Sequence, residues 1–191
     1  MGIFGIDEVG RGSWAGPLVF AGVSLGKDFR YKKDLKDSKL LTQFKRRDLS
    51  TEIIATSEYY ISEISSTEID EVGLTAASEL ACAVIINNLN NINVDTEIIL
   101  DGNVNYLKDY VNILNIKTVI KADTSYPDVM AASIVAKYYR DKLMEDLDKT
   151  YPGYGWDNNV GYGTKQHLEA ILKLGLTPIH RLTFRPMKGM I

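Results

Sequence analysis

Three short apolar runs in this chain each end on a carboxylate, and that pattern limits the fold more than any other feature. Ile3-Phe4-Gly5-Ile6 runs into Asp7-Glu8, Glu97-Ile98-Ile99-Leu100 into Asp101, and Ile116-Lys117-Thr118-Val119-Ile120-Lys121-Ala122 into Asp123. Runs this short, rich in β-branched residues and bounded by turn formers, read as buried strands rather than helices. Successive strand side chains point to opposite faces, so Asp7 and Glu8 share a site only if the strand bends or ends there. Gly10-Arg11-Gly12 supplies that end. A carboxylate at the end of a central strand is costly to bury alone, and a divalent cation is the partner that several carboxylates can share. The alternative for the first run alone is an acidic surface turn with both carboxylates solvated.

If the three strands are neighbours, Asp7, Glu8, Asp101 and Asp123 converge at one sheet edge. Like charges so placed raise one another's proton affinity, and Mg²⁺ or Mn²⁺ answers that cost with oxygen ligands and exchangeable waters. Two such ions activate a water and stabilise a leaving oxygen in phosphoryl displacement. No His or Cys lies near these acids in sequence, which disfavours zinc, and the one cysteine, Cys82, sits in an apolar helical pattern as an inert thiol.

The rest of the pattern is that of an α/β protein. A second strand spans 17–25, hairpin-paired with the first, and a third spans 59–64. Thr42 caps a helix running to about Ala55, a short helical turn covers 67–71, and longer helices cover 75–89 and 127–147. Asn87 to Asn93 is an asparagine-rich loop, Gly153 to Trp156 opens an irregular aromatic loop, Thr164 caps a helix to about Leu174, and the tail from Gly175 is extended and basic. These elements divide into a main domain, 1–150, and a C-terminal helical appendage, 151–191.

The net charge of −3 hides a segregation. Residues 27–47 hold nine Lys/Arg against three Asp, a local +6; residues 162–191 hold five against one Glu, a local +4; residues 48–101 hold eleven Asp/Glu and no Lys or Arg. One face can therefore attract a polyanion while the whole stays acidic, although charge runs also simply solvate a surface. No signal peptide or membrane span is recognisable, so a cytoplasmic protein is expected.

Gly5 to Gly12, Asp37-Ser38-Lys39-Leu40, Asp101-Gly102, Lys121-Ala122-Asp123, Ala131 to Lys137 with Arg140-Asp141, and Gly161-Tyr162-Gly163-Thr164 with His167, His180-Arg181 and Phe184 occur in one order. That ordered set resembles the type 2 ribonuclease H family, over about residues 3–185. The resemblance implies a ribonuclease H-like mixed β-sheet flanked by helices with a C-terminal helical appendage. It implies hydrolysis of RNA in RNA–DNA hybrids and cutting 5′ of a single ribonucleotide in duplex DNA, leaving 3′-OH and 5′-phosphate. Asp7, Glu8, Asp101 and Asp123 are then the metal ligands and catalytic acids. Gly10, Arg11 and Gly12 sense the ribose 2′-OH, and Tyr162 packs on the adjacent sugar.

Lys39, Ser133, Lys137 and Arg140 are candidates for phosphate contacts or, equally, for a helix contact at Ser133 and solvated cations. His180 is expected to be structural, and Tyr154 and Trp156 to line a core or rim. Val160 stands where relatives often carry a basic residue, and Asn103 to Val111 reads as a loop insertion. Arg11, where the sister type 3 enzymes have Lys, and no preceding substrate-binding domain favour type 2. The tail from Arg185 shows no aromatic pair of the kind that docks on a sliding clamp, and a monomer is expected. Two other readings stay open to the residues: a different nuclease of the superfamily, and a nucleic-acid-binding module without chemistry, against which the four acids count, because a pure binder gains nothing from carboxylates facing phosphates.

Overall fold

The computed structural model describes residues 2–35, 38–88, 95–112 and 114–190, and the side chain of Lys39 is outside it. Five strands form one mixed sheet: β1 (Ile3–Val9), β2 (Leu18–Ser24), β3 (Glu58–Ile64), β4 (Glu97–Asp101) and β5 (Asn115–Val119), ordered β3-β2-β1-β4-β5. The β1–β2 and β2–β3 pairs are antiparallel, whereas β1–β4 and β4–β5 are parallel. Parallel neighbours need crossovers. After α1 (Gln43–Thr56), which lies between β2 and β3, α2 (Ser66–Val72) and α3 (Leu74–Asn88) lead into β4, whereas a 3-10 turn, Lys108–Tyr110, lies between β4 and β5. The other helices, α4 (Pro127–Thr150), α5 (Trp156–Asn159) and α6 (Lys165–Leu174), come after β5.

The pleat sends alternate side chains to two cores. Phe4, Ile6, Phe20, Ile98 and Leu100 pack against Ala81, Cys82 and Ile85 of α3 on one face. Val19, Ala21 and Val23 pack against Leu49 and Ile53 of α1 and the Ala131–Ala136 stretch of α4 on the other. Gly5 lets α4 approach β1 closely, since a Cβ there would lie 2.3 Å from the backbone nitrogen of Val129. A third cluster holds Tyr154, Trp156, Ile171 and Met187 together with Ala15 and Met144, so the C-terminal segment shares its core with the loop after β1 and the end of α4. No helix of the described residues is long and apolar enough to cross a membrane.

Several expectations need correction. β1 continues through Asp7 and Glu8 to Val9, so those carboxylates are within the strand rather than beyond it. β5 stops at Val119; Lys121 then turns left-handed, and Asp123 sits in a 3-10 turn, Ala122–Thr124. The aromatic loop contains α5, and the tail is a series of turns ending in a 3-10 segment with Met187 fully buried. The 103–111 segment puts Tyr106 and Leu107 into the main core. Two of the basic residues counted toward charged surfaces are buried: Arg46, which bonds Ser38 O, Leu41 O and Asp141, and Arg181. Asp37 and most of the asparagine-rich loop lie outside the described residues.

Substituting Gly5→Ala forces α4 away from β1 by backbone displacement. Overpacking of this kind predicts a loss of about 2–3 kcal/mol, measured by urea unfolding.

Candidate active site

β1 carries two of the acids, β4 ends on a third, and the turn after β5 carries the fourth. On β1, Glu8 points to the α3 side, where its charge adds to burial in raising the pKa of the Cys82 thiol, while Asp7 points toward Ser133 of α4. Gly5 and Ile99 stand opposite each other in the parallel β1–β4 register. Two residues further along, on the same face, come Asp7 and Asp101. The turn that carries Asp123 is fastened to β4, because Ala122 N donates to Asp101 Oδ1 at 2.6 Å.

All four carboxylates line one cleft of about 540 Å³, together with Ser38, Ser133, Lys137, Val160 and Tyr162. Asp7 is 6% exposed. Burial first, then the neighbouring Glu8 and Asp101 carboxylates, push its pKa up to about 8, against the hydrogen bonds from Ser133 and from Glu8 N at 2.8 Å. Among the described residues no three acidic, His or Cys side chains are gathered tightly enough to form a closed ion site. The four carboxylates instead stand around an open cleft. As a donor set they fit a hard divalent cation, since all are oxygen ligands and a cation offsets the burial and neighbouring charge that push the deepest of them up.

The other expected residues separate into two groups. Ser133 and Lys137 line the cleft but have partners already: Ser133 Oγ lies 2.9 Å from Ser38 Oγ, and Lys137 Nζ donates to Asp141 Oδ1 at 2.7 Å. Tyr162 lines the cleft and is 37% exposed. Gly10, Arg11 and Gly12 are outside the cleft lining, on the turn that follows Val9. Gly12 is exposed and a Cβ there would touch nothing within 4 Å. The Lys39 side chain lies outside the described residues.

Arg140 neither contacts solvent nor faces the cleft: it is fully buried and donates to the carbonyls of Pro17, Val160 and Ala15. His180 is structural as expected, its Nδ1 accepting from Thr177 N. With that nitrogen an acceptor, its Nε2–H donates to His167 Nε2, which also accepts from Trp156 Nε1. His167 therefore keeps its proton on Nδ1 and donates it to the Tyr162 carbonyl at 3.0 Å. Burial and His167 hold His180 down to about 4, so both rings are neutral near pH 7. Sequence reasoning missed Ser38 and Asp141 as partners of site residues. The i,i+4 spacing of Lys137 and Asp141 on a helix was the available signal for the second.

The ribonuclease HII family model matches residues 4–187. A ribonuclease HII of Pelagibacter ubique (strain HTCC1062) is 43% identical over 187 residues, which is 98% of this chain and 97% of that relative. The crystal structure of ribonuclease H2 from Pyrococcus horikoshii OT3 superposes with a TM-score of 0.83 at 28% identity, covering 100% of this chain and 97% of that one. The RNase HII of the PCNA:RNase HII complex from Archaeoglobus fulgidus gives 0.81 at 28% identity, covering 97% and 96%. The mixed sheet flanked by helices is thus the ribonuclease H-like fold.

The Asp7 carboxyl sets a stability slope. Its folded pKa is raised from 3.8 to about 8, so the native state keeps a proton that the unfolded chain has released, and stability falls as pH rises across that interval. In EDTA, the wild type loses about 1–2 kcal/mol relative to Asp7→Asn between about pH 6.5 and pH 8. Mg²⁺ or Mn²⁺ restores the wild type more at the higher pH, and thermal unfolding at both values checks each part.

Proposed function

The chain belongs to the ribonuclease HII family, whose members are nucleases, and on that premise we propose an endonuclease that cuts RNA in RNA–DNA hybrids and nicks duplex DNA 5′ of a single ribonucleotide, leaving 3′-OH and 5′-phosphate. The observation that carries the proposal is the lining of one cleft by Asp7, Glu8, Asp101 and Asp123, with the exposed Tyr162 on its wall and the open Gly12 turn beside it.

Asp7, Glu8, Asp101 and Asp123 would hold two divalent ions, Mg²⁺ or Mn²⁺. When bound, these ions supply water activation and stabilisation of the leaving oxygen. The protein's own groups do the rest. Ser133, hydrogen-bonded to Asp7 and Ser38, keeps the deepest carboxylate aimed into the cleft. Lys137, held by Asp141, presents positive charge to a phosphate on the cleft wall. The neutral His167 fixes the Tyr162 backbone, so that the phenol packs on the sugar beside the junction. The backbone of Gly10, Arg11 and Gly12 reads the 2′-OH, the group that separates one ribonucleotide from its deoxy neighbours. A Cβ at Gly12 would meet nothing within 4 Å, so the backbone there is open to close approach by a ligand. In this reading residues 1–150 carry the catalytic groups, and the appendage, 151–191, completes the substrate face with Tyr162.

A labelled duplex with one ribonucleotide, incubated with Mg²⁺ or Mn²⁺ beside an all-DNA duplex and an EDTA control, should give one metal-dependent cut 5′ of the ribonucleotide. Tight binding without any cut contradicts the proposal. Asp7→Asn and Asp101→Asn should each slow the cut by about a hundredfold or more. Gly12→Ala should slow it by about tenfold or more with the unfolding midpoint unchanged, since only the ligand's approach is obstructed.

A further inference from the structure

Two guanidiniums are buried behind the turn that follows β1, and a third leaves that turn for α3. Arg140 and Arg181 are both 0% exposed. Arg140 donates from Nε to Pro17 O at 2.8 Å, from Nη1 to Val160 O at 2.8 Å and from Nη2 to Ala15 O at 3.1 Å. Arg181 donates from Nε and Nη2 to Gly16 O at 3.1 and 2.9 Å, and from Nη1 to Arg11 O at 2.9 Å. Arg11 turns its own side chain inward, donating from Nη1 to Ser78 Oγ of α3 at 3.1 Å and standing over the Tyr106 ring at 5.6 Å.

We infer that Arg140, Arg181 and the Arg11 side chain are positioning residues that lock the Gly10–Gly12 turn and the Val160–Tyr162 turn into one rigid unit, leaving the backbone to read the ribose. This rests on the junction-reading role proposed above.

The chemistry favours a bracing role over phosphate contact. A guanidinium is the one side chain that offers five donors in a planar fork, and the forks of Arg140 and Arg181 are spent on backbone carbonyls of irregular turns, which no sheet ladder satisfies. Burying a charge in this way is weak support for stability, because apolar packing of equal volume usually serves as well. What the arrangement does provide is geometry. Arg140 ties the Val160 turn to Ala15, just beyond the Gly10–Gly12 turn, and lies against Gly10, while Arg181 holds Arg11 O; the Arg140 guanidinium also stands 5.8 Å over the Tyr162 ring. Trp14 N and Ala15 N both donate to Gly161 O, which closes the same junction from the backbone side. Gly10 is a glycine because of this brace: its φ is +88°, and a Cβ would lie 2.2 Å from Arg140 Nε. Val160, a β-branched residue at φ 42°, adopts a conformation that such residues avoid, and its carbonyl is one that Arg140 holds.

The test is kinetic, on the full chain with a duplex containing one ribonucleotide. Arg140→Lys and Arg181→Lys keep the charge but lose the fork. In variants that unfold cooperatively, assayed well below their midpoints, the single-turnover cutting rate should fall by about tenfold or more. Duplex affinity in EDTA and its salt dependence should stay at wild-type values. A phosphate contact would do the opposite, weakening affinity, and the neutral Arg140→Met or Arg181→Met would then reduce the salt slope by about one. That result, or wild-type cutting in a folded lysine variant, overturns the inference. If a lysine variant does not fold, Ser78→Ala decides: it withdraws one acceptor from Arg11, and the rate should fall about threefold or more with affinity unchanged, whereas an unchanged rate overturns the brace. A wild type that ignores the ribonucleotide defeats the junction-reading proposal instead, and the two failures are distinct.

Discussion

The structure depends on one electrostatic conflict, the gathering of carboxylates at the end of parallel strands with the deepest of them out of water. Asp7 is nearly buried and stands beside Glu8 and Asp101, and burial with those charges pushes it up to about 8. Nothing in folding alone rewards such a placement. The protein tolerates it by small means: a hydrogen bond from Ser133, the Glu8 amide on Oδ1, and the Ala122 amide on Asp101. On the proposed reading that cost is met by a ligand, and a hard divalent cation is the ligand the chemistry of these acids suits.

The positive charge around that cleft is divided between two uses. Some cations stay near the surface, such as Lys137 on the cleft wall and Lys45 and Arg47 on α1. Others are inside, where Arg46, Arg140 and Arg181 spend their donors on carbonyls and so shape turns rather than attract a polyanion. The local charges counted along the chain overstate the basic surface for this reason. Held turns suit the proposed reading of a single hydroxyl, because misplacement of such a group by even an ångström is costly to rate.

Much of this was legible in the sequence, for physical reasons. Short apolar runs ending in acids place Asp7, Glu8 and Asp101 at one end of neighbouring strands, and Thr42, Pro127 and Thr164 mark helix starts by their capping chemistry. The end of β1 was less legible: two adjacent acids look like a strand's end, yet the ladder with β2 carries on through Asp7, Glu8 and Val9. Asp123 was placed on a strand because Ile120-Lys121-Ala122 extends the apolar pattern, while the left-handed Lys121 turns the chain out of the sheet. The buried arginines were illegible, since an arginine bonded to carbonyls from residues 15, 17 and 160 leaves no local spacing to detect. The same holds for the tautomers of His167 and His180, which follow from contacts across the C-terminal segment.

The central claim is that Asp7 is a carboxyl whose environment awaits a cation. Its titration can be followed directly through the ¹³C shift of the Asp7 carboxyl, with Asp7→Asn identifying the resonance, first in EDTA and then with saturating Mg²⁺. A midpoint near the pH of about 8 that burial and its neighbours impose, falling well below the ordinary carboxylate range once Mg²⁺ is present, is the result predicted. An ordinary midpoint in EDTA that Mg²⁺ leaves in place would contradict the account.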